Sequence, residues 1–474
     1  MTENVRSTQV AVIGGGPGGY PAAFLAADLG LHVTLIDMEP NPGGVCLYRG
    51  CIPSKALLHV AKVISEARHA ARWGVTFSEP EIDLDRLREW KESVVQKLTG
   101  GLGQLSKQRR ITYIQGRATF LDPHTLRIEN QSGEEILKFE RAILATGSRP
   151  ATLPNLSIDS PRIMNSTTAL DLPDIPKTML VIGGGYIGLE LGTVYAALGT
   201  KVSVVEMMPG LIPGLDRDLV SVLTRRLETI FESIMLNTRV VGMKEEKKGI
   251  RVKLEGAQVK QPEQIYERVL ICVGRKPNSQ DLGLENTKVE IDRRGFVQVD
   301  AQRRTAEPTI YAIGDVAGEP MLAHKATHEG RVAAEAIAGR RVAYEPRAVP
   351  AVVFTDPEIA CCGLTETEAR EQKRPIKVAR FPWAASGRAV TLDRTDGLTK
   401  LIIDPETERI LGVGIVGPGA GELISEGVLA VEMAALASDV ELSIHPHPTL
   451  SETLMEAAEA FYGHSTHVYH PKKK

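Results

Sequence analysis

Two cysteines five positions apart are the residues of this sequence with the clearest chemical potential. Cys46 and Cys51 lie in the segment Gly43–Lys55, where a helix-like path would bring both near one face, within reach of disulfide geometry after local distortion. No second Cys or His pair follows at zinc-ligand spacing, so a zinc site is not expected. Free cysteines are usually buried as small hydrophobic residues, so the pair alone leaves redox chemistry and core packing both open.

The composition narrows the setting of these thiols. The chain has 474 residues but only five cysteines, far too few for a secreted scaffold stapled by disulfides. We therefore expect a cytoplasmic protein, in which a disulfide would be catalytic or redox-active. A net charge of −3 argues against nucleic acid as a partner. Charges and clustered glycines interrupt every long apolar run, so no membrane span is expected. The clustered glycines within 10–31 also argue against a signal peptide in that segment.

A glycine motif of the form G-x-G-x-x-G occurs twice and predicts two dinucleotide sites. Its glycines are Gly14, Gly16 and Gly19 in the first copy and Gly183, Gly185 and Gly188 in the second. The first glycine makes a tight turn, the second lets the backbone approach a diphosphate, and the third lets helix and strand pack closely. The amide groups at the start of the following helix then face the phosphates. One copy could be an ordinary glycine-rich turn, but two copies in the same context predict a function.

The elements around each motif predict a βαβ unit. In chain order the strand, helix and strand are 10–13, 20–29 and 32–36 in the first copy, and 179–182, 189–198 and 201–205 in the second. Each second strand ends in an acid, Asp37 or Glu206, which lies at the same spacing from the third glycine in both copies and can accept a hydrogen bond from a ribose hydroxyl. Glu206 favours NAD over NADP, because a carboxylate repels a 2′-phosphate and no basic residue follows in 207–211.

The first copy is longer than the second, and the extra residues include the cysteine pair. The first copy runs from Gly14 to a closing Gly147, whereas the second closes sooner, from Gly183 to Gly274. Two helices in this insert, 56–73 and about 84–107, are predicted to pack as an arm against the first unit. Two dinucleotide sites imply two redox dinucleotides that exchange a hydride, which points to a flavin and a nicotinamide.

The segment GGVC-x4-CIPSKALL resembles the redox-active signature of the flavin-dependent pyridine nucleotide-disulfide oxidoreductases. The resemblance runs essentially end to end and includes FPWAASGRA at Phe381–Ala389 and HPHPTLSE at His445–Glu452. Together with the repeat, it predicts an α/β fold with two Rossmann-like dinucleotide-binding domains and a C-terminal α+β dimerisation domain. The predicted divisions are an FAD-binding domain with the dithiol and helical arm (1–150), an NAD-binding domain (151–278), a central domain completing the flavin site (279–347) and an interface domain (348–474).

The resemblance also implies roles for the dithiol and its neighbours. Cys51 would be the thiol next to the flavin, and Cys46 the thiol that exchanges with substrate. Lys55 would lie near the flavin, paired with Glu190. Further cofactor contacts implied by the family pattern are Asp37, Ala118, Asp315 and Ala323 for FAD, and Glu206, Val240 and Gly274 for NAD.

His447 and Glu452 match the base dyad of the family. The imidazole would take a proton from a substrate thiol, while the carboxylate would orient it and stabilise its cation. In the family this dyad reaches the active site of the other subunit, which implies an obligate homodimer. No metal ion is expected in this chemistry.

The resemblance is greatest to family members that oxidise protein-bound dihydrolipoyl-lysine and reduce NAD⁺. It implies lipoyl-bearing domains of acyltransferase or glycine-cleavage carrier proteins as partners. A glutathione reductase type would need bases for NADP after the second βαβ unit, and a mercuric reductase type would need a C-terminal cysteine pair, which 461–474 lacks. A non-catalytic structural subunit is a further alternative, against which the intact dithiol and dyad argue.

The sequence departs from the family pattern at several places. Tyr48 and Arg49 replace the usual Asn-Val between the cysteines, and we hypothesise that the charge of Arg49 favours a thiolate. Tyr186 is predicted to lie near the nicotinamide and to move when NAD binds. We interpret Cys361–Cys362 as part of a core strand in the interface domain, and Lys472–Lys474 as a solvated tail.

Overall fold

The protein is described by a computed structural model that covers residues 5–153, 156, 158–257 and 259–469. The tail Lys472–Lys474 lies outside the described residues. Among the described residues, we find no helix with the length and apolar character needed to cross a membrane.

The first βαβ unit forms the centre of a sheet built mainly from the N-terminal third of the chain. Its strands and helices are β1 (Val5–Ile13), α1 (Gly19–Asp28), β2 (Val33–Asp37), α2 (Gly44–Arg49), α3 (Cys51–His69), α4 (Leu84–Gln108), β3 (Thr112–Gln115), β4 (Arg117–Asp122), β5 (Thr125–Asn130), β6 (Gly133–Leu144) and β7 (Ser148–Pro150). The sheet has the strand order β3-β2-β1-β6-β5-β4. The end of β1 is buried and pairs in parallel with β2 and β6, which explains its continuous run of apolar residues.

The predicted helices of the insert are confirmed, with shifted limits. The first begins at Cys51, earlier than predicted, and its α-helical part ends at His69, before a 3₁₀ turn at Ala70–Trp73. The second, α4, begins after Asp83, whose side chain accepts a hydrogen bond from the Arg86 amide at 3.0 Å and caps the helix.

The second βαβ unit forms a separate parallel sheet with an antiparallel sheet beside it. Its elements are β8 (Ile163–Met164), α5 (Ser166–Leu170), β9 (Thr178–Ile182), α6 (Tyr186–Ala197), β10 (Lys201–Val205), α7 (Arg217–Ile230), β11 (Ser233–Met235), β12 (Arg239–Glu246), β13 (Gly249–Glu255), β14 (Glu263–Tyr266), β15 (Arg268–Ile271) and β16 (Arg275–Pro277). The parallel sheet has the order β11-β10-β9-β15-β8, and β16 pairs with β7 of the first unit.

The chain then returns to the first sheet before it builds the last one. In 279–347 the elements are β17 (Ile310–Ala312), which pairs with β6, and α8 (Ala323–Ile337). The C-terminal elements are β18 (Ala351–Val353), β19 (Glu358–Gly363), α9 (Glu366–Glu371), β20 (Lys377–Pro382), α10 (Gly387–Thr391), β21 (Leu398–Ile403), β22 (Ile410–Gly417), α11 (Ala420–Glu432), α12 (Ala437–Glu441) and α13 (Glu452–Tyr462). Their antiparallel sheet has the order β18-β19-β22-β21-β20. Cys361 and Cys362 lie on β19, as interpreted, and Cys362 is buried in the core.

Two connections fix the second unit against the rest of the molecule. A single apolar core joins Leu57 and Ile64 of α3 to the second sheet and to Ile359 of β19. The ammonium group of Lys400, which is 1% exposed, contacts the carboxylates of Asp216 and Asp218 at 2.7 Å, as well as that of Glu366 at 2.8 Å. The dithiol helix α3 therefore lies in a shared, closely packed junction.

Candidate active site

The glycines of both motifs are placed as dinucleotide binding requires. A Cβ atom on Gly19 would lie 1.8 Å from the carbonyl oxygen of Gly14, and a Cβ on Gly188 would lie 2.7 Å from that of the first glycine of its copy. Only glycine therefore allows these helices to approach their strands. By contrast, the nearest heavy atom to a Cβ on Gly16 would be 3.9 Å away, and nothing lies within 4 Å at Gly185. The second glycines thus leave their outer side open for a diphosphate.

The two acids at the strand ends hold the glycine loops in the same way. Asp37 accepts a hydrogen bond from the Gly15 amide at 2.5 Å, and Glu206 accepts one from the Gly184 amide at 2.6 Å. The amide two residues after each acid donates to its other oxygen, at 2.8 and 2.7 Å. Burial raises the pKa of Asp37, although the Gly15 amide opposes this shift. Each carboxylate is thus fixed at the edge of its glycine loop, with lone pairs left for a ribose.

A cavity of about 650 Å³ brings most of the predicted flavin residues together. Its walls include Gly14, Gly16, Asp37, Cys46, Cys51, Lys55, Ala118, Glu190, Asp315 and Ala323. Gly19 is packed behind the loop instead, against Gly14. Tyr186 and Arg275 reach the cavity from the second unit. The size, the glycine loop and the fixed carboxylate fit a flavin dinucleotide, which these residues would hold.

The dithiol lies on the wall of this cavity, at the junction between two consecutive helices. Cys46 belongs to α2 and Cys51 is the first residue of α3. A Cβ on Gly50, between the two helices, would lie 2.8 Å from the Val45 carbonyl oxygen, so the close approach of the backbone at this junction requires glycine. Both are free cysteines, Cys46 partly buried and Cys51 exposed, so the alternative of plain core packing is not supported.

The two thiols differ in their acidity. A hydrogen bond from the Cys46 thiol lowers the pKa of Cys51, against burial, and the charge of Lys55 lowers it further. The same hydrogen bond and burial raise the pKa of Cys46. The position of Cys51 at the N-terminus of the long helix α3 also favours its thiolate. Cys51 is therefore the thiol that carries negative charge toward the cavity.

Lys55 is held beside the dithiol by a buried carboxylate. Its ammonium group contacts Glu190 of α6 at 2.7 Å and lies 4.5 Å from the ring centroid of Phe354. Glu190 is almost fully buried and also accepts hydrogen bonds from the Ser54 hydroxyl at 3.3 Å and the Phe354 amide at 3.0 Å. A buried carboxylate needs such partners, and here they fix the lysine as well. Phe354 was missed by sequence reasoning, since a lone aromatic so far along the chain from the dithiol carries no local signal.

The predicted role of Arg49 is not supported. The guanidinium group forms an ion pair with Glu39, in the segment after β2, and its charge acts on Asp37. The cation that lowers the pKa of Cys51 is Lys55. The structure therefore places the charge beside the dithiol on a different residue from the one predicted.

Asp315 is positioned by a network that the sequence did not reveal. It accepts a hydrogen bond from the Ser148 hydroxyl at 2.5 Å, and that hydroxyl accepts one from Arg275 at 2.7 Å. The preceding amide, of Gly314, donates to Glu329 at 2.6 Å. Glu329 has no exposed surface, and Lys325 and Arg303 contact it at 3.0 and 2.9 Å. The available sequence signal for this network was the acidic residue Glu329 on the buried face of α8. A buried carboxylate requires charged or hydrogen-bonding partners.

The remaining residues that the sequence predicted to contact NAD lie along the second unit. Val240 is on β12. Just before this strand, the Thr238 amide donates a hydrogen bond to the Glu206 carbonyl oxygen at 3.0 Å. Gly274 follows β15 with a positive φ of 111°. Tyr186 belongs to the second glycine motif, is the first residue of α6 and lines the flavin cavity.

The predicted dyad is formed, but its residues are not among those that line the dithiol cavity of the same chain. His447 Nδ1 is 2.8 Å from Glu452 Oε1, and the other oxygen of Glu452 accepts the Thr449 amide at 2.7 Å. Partial burial opposes ionisation of Glu452, but the Thr449 amide and His447 bring its pKa below the usual value. His447 is 73% exposed. Among the described residues, those that line the cavity include neither His447 nor Glu452.

The fold and this arrangement define a class of protein, and comparison with known families agrees. The family model "Pyridine nucleotide-disulphide oxidoreductase" matches residues 8–330, and the dimerisation domain of the same family matches 349–458. The chain belongs to the pyridine nucleotide-disulphide oxidoreductase family. It is an oxidoreductase with FAD and NAD(H) as cofactors, so the predicted family, fold class and cofactors are confirmed.

Individual relatives are similar over their whole length. A dihydrolipoyl dehydrogenase from Haemophilus influenzae is 50% identical over 100% of this chain and 99% of its own. One from Vibrio cholerae is 47% identical over the same shares. Among solved structures, LpdA from Mycobacterium tuberculosis matches with a TM-score of 0.89 and 27% identity, over 96% of this chain and 99% of that one. The flavoprotein disulfide reductase RclA from Escherichia coli matches with a TM-score of 0.85 and 28% identity, over the same shares.

Proposed function

We propose that this enzyme oxidises protein-bound dihydrolipoyl-lysine to lipoyl-lysine and reduces NAD⁺. The observation that carries the proposal is the Cys46–Cys51 pair, which shares one cavity wall with the Lys55–Glu190 pair in a chain similar end to end to dihydrolipoyl dehydrogenases. Glu206, with no basic residue in 207–211, supports NAD over NADP.

The chain's own residues supply the sulfur chemistry. With Cys46 and Cys51 joined as a disulfide, His447 takes the proton of one substrate thiol, and the resulting thiolate attacks the sulfur of Cys46. The bond between the cysteines breaks, and Cys51 leaves as the thiolate that its environment stabilises. The second substrate thiol, after loss of its proton, attacks the first substrate sulfur. This closes the lipoyl disulfide and releases Cys46, so two electrons have passed from substrate to dithiol. The residues that line the cavity would hold FAD, which when bound would supply the redox chemistry that links the dithiol to NAD⁺.

We propose that the dyad acts on the dithiol of a second copy. Within one chain His447 is exposed and does not line the cavity, which supports a target on a second copy rather than the dithiol of its own chain. The adjacent Leu442 and Ile444 are strongly exposed, 79% and 99%, and an apolar surface of this kind next to a catalytic base fits a subunit interface. The match to a dimerisation domain supports a homodimer.

The functional divisions and residue roles remain part of the proposal. We assign FAD binding to 1–150 and 279–347, NAD binding to 151–278 and dimer formation to 348–474. Lipoyl-bearing domains of acyltransferase or glycine-cleavage carrier proteins would be the partners, and the cytoplasm the location, as the small number of cysteines suggests. Glutathione or mercuric reductase activity and a purely structural role are the competing functions.

The decisive experiment measures NADH formation from free dihydrolipoamide by the purified holoenzyme. We expect Cys46→Ser to abolish it and His447→Gln to reduce it by about 10²- to 10⁴-fold, the usual range for a general base. Cys361→Ser is the matched control, since that cysteine lies on β19 outside the site, and it should retain activity. Faster turnover of glutathione disulfide with NADPH would contradict the proposal.

A further inference from the structure

Two of the four residues between the cysteines, Tyr48 and Arg49, contact the segment after β2. The Tyr48 hydroxyl donates to the Asn41 carbonyl oxygen at 3.1 Å, and the Asn41 amide lies 3.2 Å from the same hydroxyl. The Arg49 guanidinium group forms an ion pair with Glu39. Both contacts therefore join α2 to the loop 37–41, at the end of the first βαβ unit.

This loop and α2 are two walls of the flavin cavity. Asp37, Met38 and Glu39 line it from the loop, while Cys46 and Arg49 line it from α2. The loop is itself fixed to Asp37, whose carboxylate accepts the Glu39 amide. At the other end of α2, the Gly43 amide donates to the Gly15 carbonyl oxygen at 2.7 Å, which joins the helix to the glycine loop.

We propose that Tyr48 and Arg49 form a tether that holds the loop 37–41 against α2 and thereby retains FAD. A ligand that contacts both walls leaves more slowly when the walls are joined, because opening them costs the contacts between them. This role does not depend on the sulfur substrate. It also accounts for the place of Arg49, whose charge is engaged by Glu39 rather than offered to the thiols.

The first test compares FAD release from holoenzyme variants that carry the residues usual in the family. In Tyr48→Asn and Arg49→Val we expect FAD to dissociate about three- to tenfold faster, the range for loss of one partly exposed ion pair or a few hydrogen bonds. The readout is the fluorescence of flavin released on dilution, with circular dichroism to follow the fold. Arg109→Gln is the matched control, because it removes an ion pair with Asp28 that also lies in the first unit but outside the residues that line the cavity.

The second test separates a tether from a direct attraction between Arg49 and the phosphates. If Arg49 acts through Glu39, Glu39→Gln will also speed FAD release, and the double variant with Arg49→Val will release FAD no faster than the faster single variant. The pH midpoint of Cys51 alkylation should stay unchanged in Arg49→Val. Slower or unchanged release in Glu39→Gln would overturn the tether, as would a shifted alkylation midpoint with unchanged FAD release.

Discussion

The two βαβ units hold nearly identical loops but differ in the segment that comes after the acid. In the first unit Asp37 accepts its two loop amides at 2.5 and 2.8 Å, and in the second Glu206 accepts the equivalent amides at 2.6 and 2.7 Å. After Asp37 the chain continues into the tethered loop and the helices α2–α4. After Glu206 it continues into Met207 and Met208, which are 69% and 45% exposed.

This difference suits two cofactors with different residence times. A shared loop geometry gives both units the same way to bind a diphosphate, whereas dissociation depends on what must move aside first. The first unit is closed by α2, by the network around Asp315 and by α8, so its ligand is expected to stay bound through many turnovers. The second unit lacks a comparable insert in the described residues, so its ligand can exchange in every turnover.

The largest expected effect comes from adding one carbon to the third glycine of either unit. Gly19→Ala would place a Cβ 1.8 Å from the Gly14 carbonyl oxygen, so the loop must shift, and we expect a protein purified without flavin. Gly188→Ala, with its corresponding distance of 2.7 Å, should keep flavin and raise the KM for NAD⁺. Flavin absorbance per protein and steady-state kinetics measure these outcomes. Loss of flavin in Gly188→Ala would contradict separate sites.

The next effect concerns the two acids. Glu206→Ala removes a charged hydrogen-bond acceptor for a ribose, so we expect the KM for NAD⁺ to rise by about ten- to a hundredfold. The preference of the enzyme for NAD⁺ over NADP⁺ should become smaller. Flavin content should not change. Asp37→Ala is the matched change in the first unit and should weaken FAD retention while leaving the KM for NAD⁺ as it was. If both variants affect the same cofactor, the assignment of the units is wrong.

A smaller and pH-dependent effect distinguishes the thiols of the two units. The hydrogen bond from Cys46, with Lys55, lowers the pKa of Cys51, so its thiolate is populated below the pH at which an ordinary thiol ionises. Cys272 of the second unit is partly buried, and the loss of hydration raises its pKa to about 12. In dithiol-reduced enzyme, iodoacetamide near neutral pH should label Cys51 and leave Cys272 unmodified, as mass spectrometry would show. In Lys55→Gln, labelling of Cys51 should require higher pH, and equal labelling of Cys51 and Cys272 would refute this difference.

The sequence predicted the parts of both units that depend on local rules. Glycine spacing, β-branched strands and strand-end acids each have a local physical cause, so the positions of β1, β2, β9 and β10 follow from them. The family resemblance implied Glu190 as the partner of Lys55, but Phe354 beside Lys55 and the partners of Asp315 could not be predicted from local rules. Ser148, Glu329 and Phe354 reach the site only after distant segments pack together. The hypothesis that the charge of Arg49 acts on the dithiol is not supported for a similar reason. Its ion pair with Glu39, which lines a different wall of the cavity, could not be predicted from local rules.

The smallest effect is expected at Tyr186, where the two units meet. Its ring lies at the start of α6 and reaches the flavin cavity, so a nicotinamide that approaches the flavin must displace it. In Tyr186→Ile this displacement is no longer needed, so the KM for NAD⁺ should fall by about two- to fivefold, the size of a modest conformational cost. Flavin fluorescence should also change, because the aromatic neighbour is lost. If the KM and the fluorescence both stay the same, the ring of Tyr186 does not cover the nicotinamide site. The faster exchange of NAD than of FAD would then depend only on the exposed segment after Glu206.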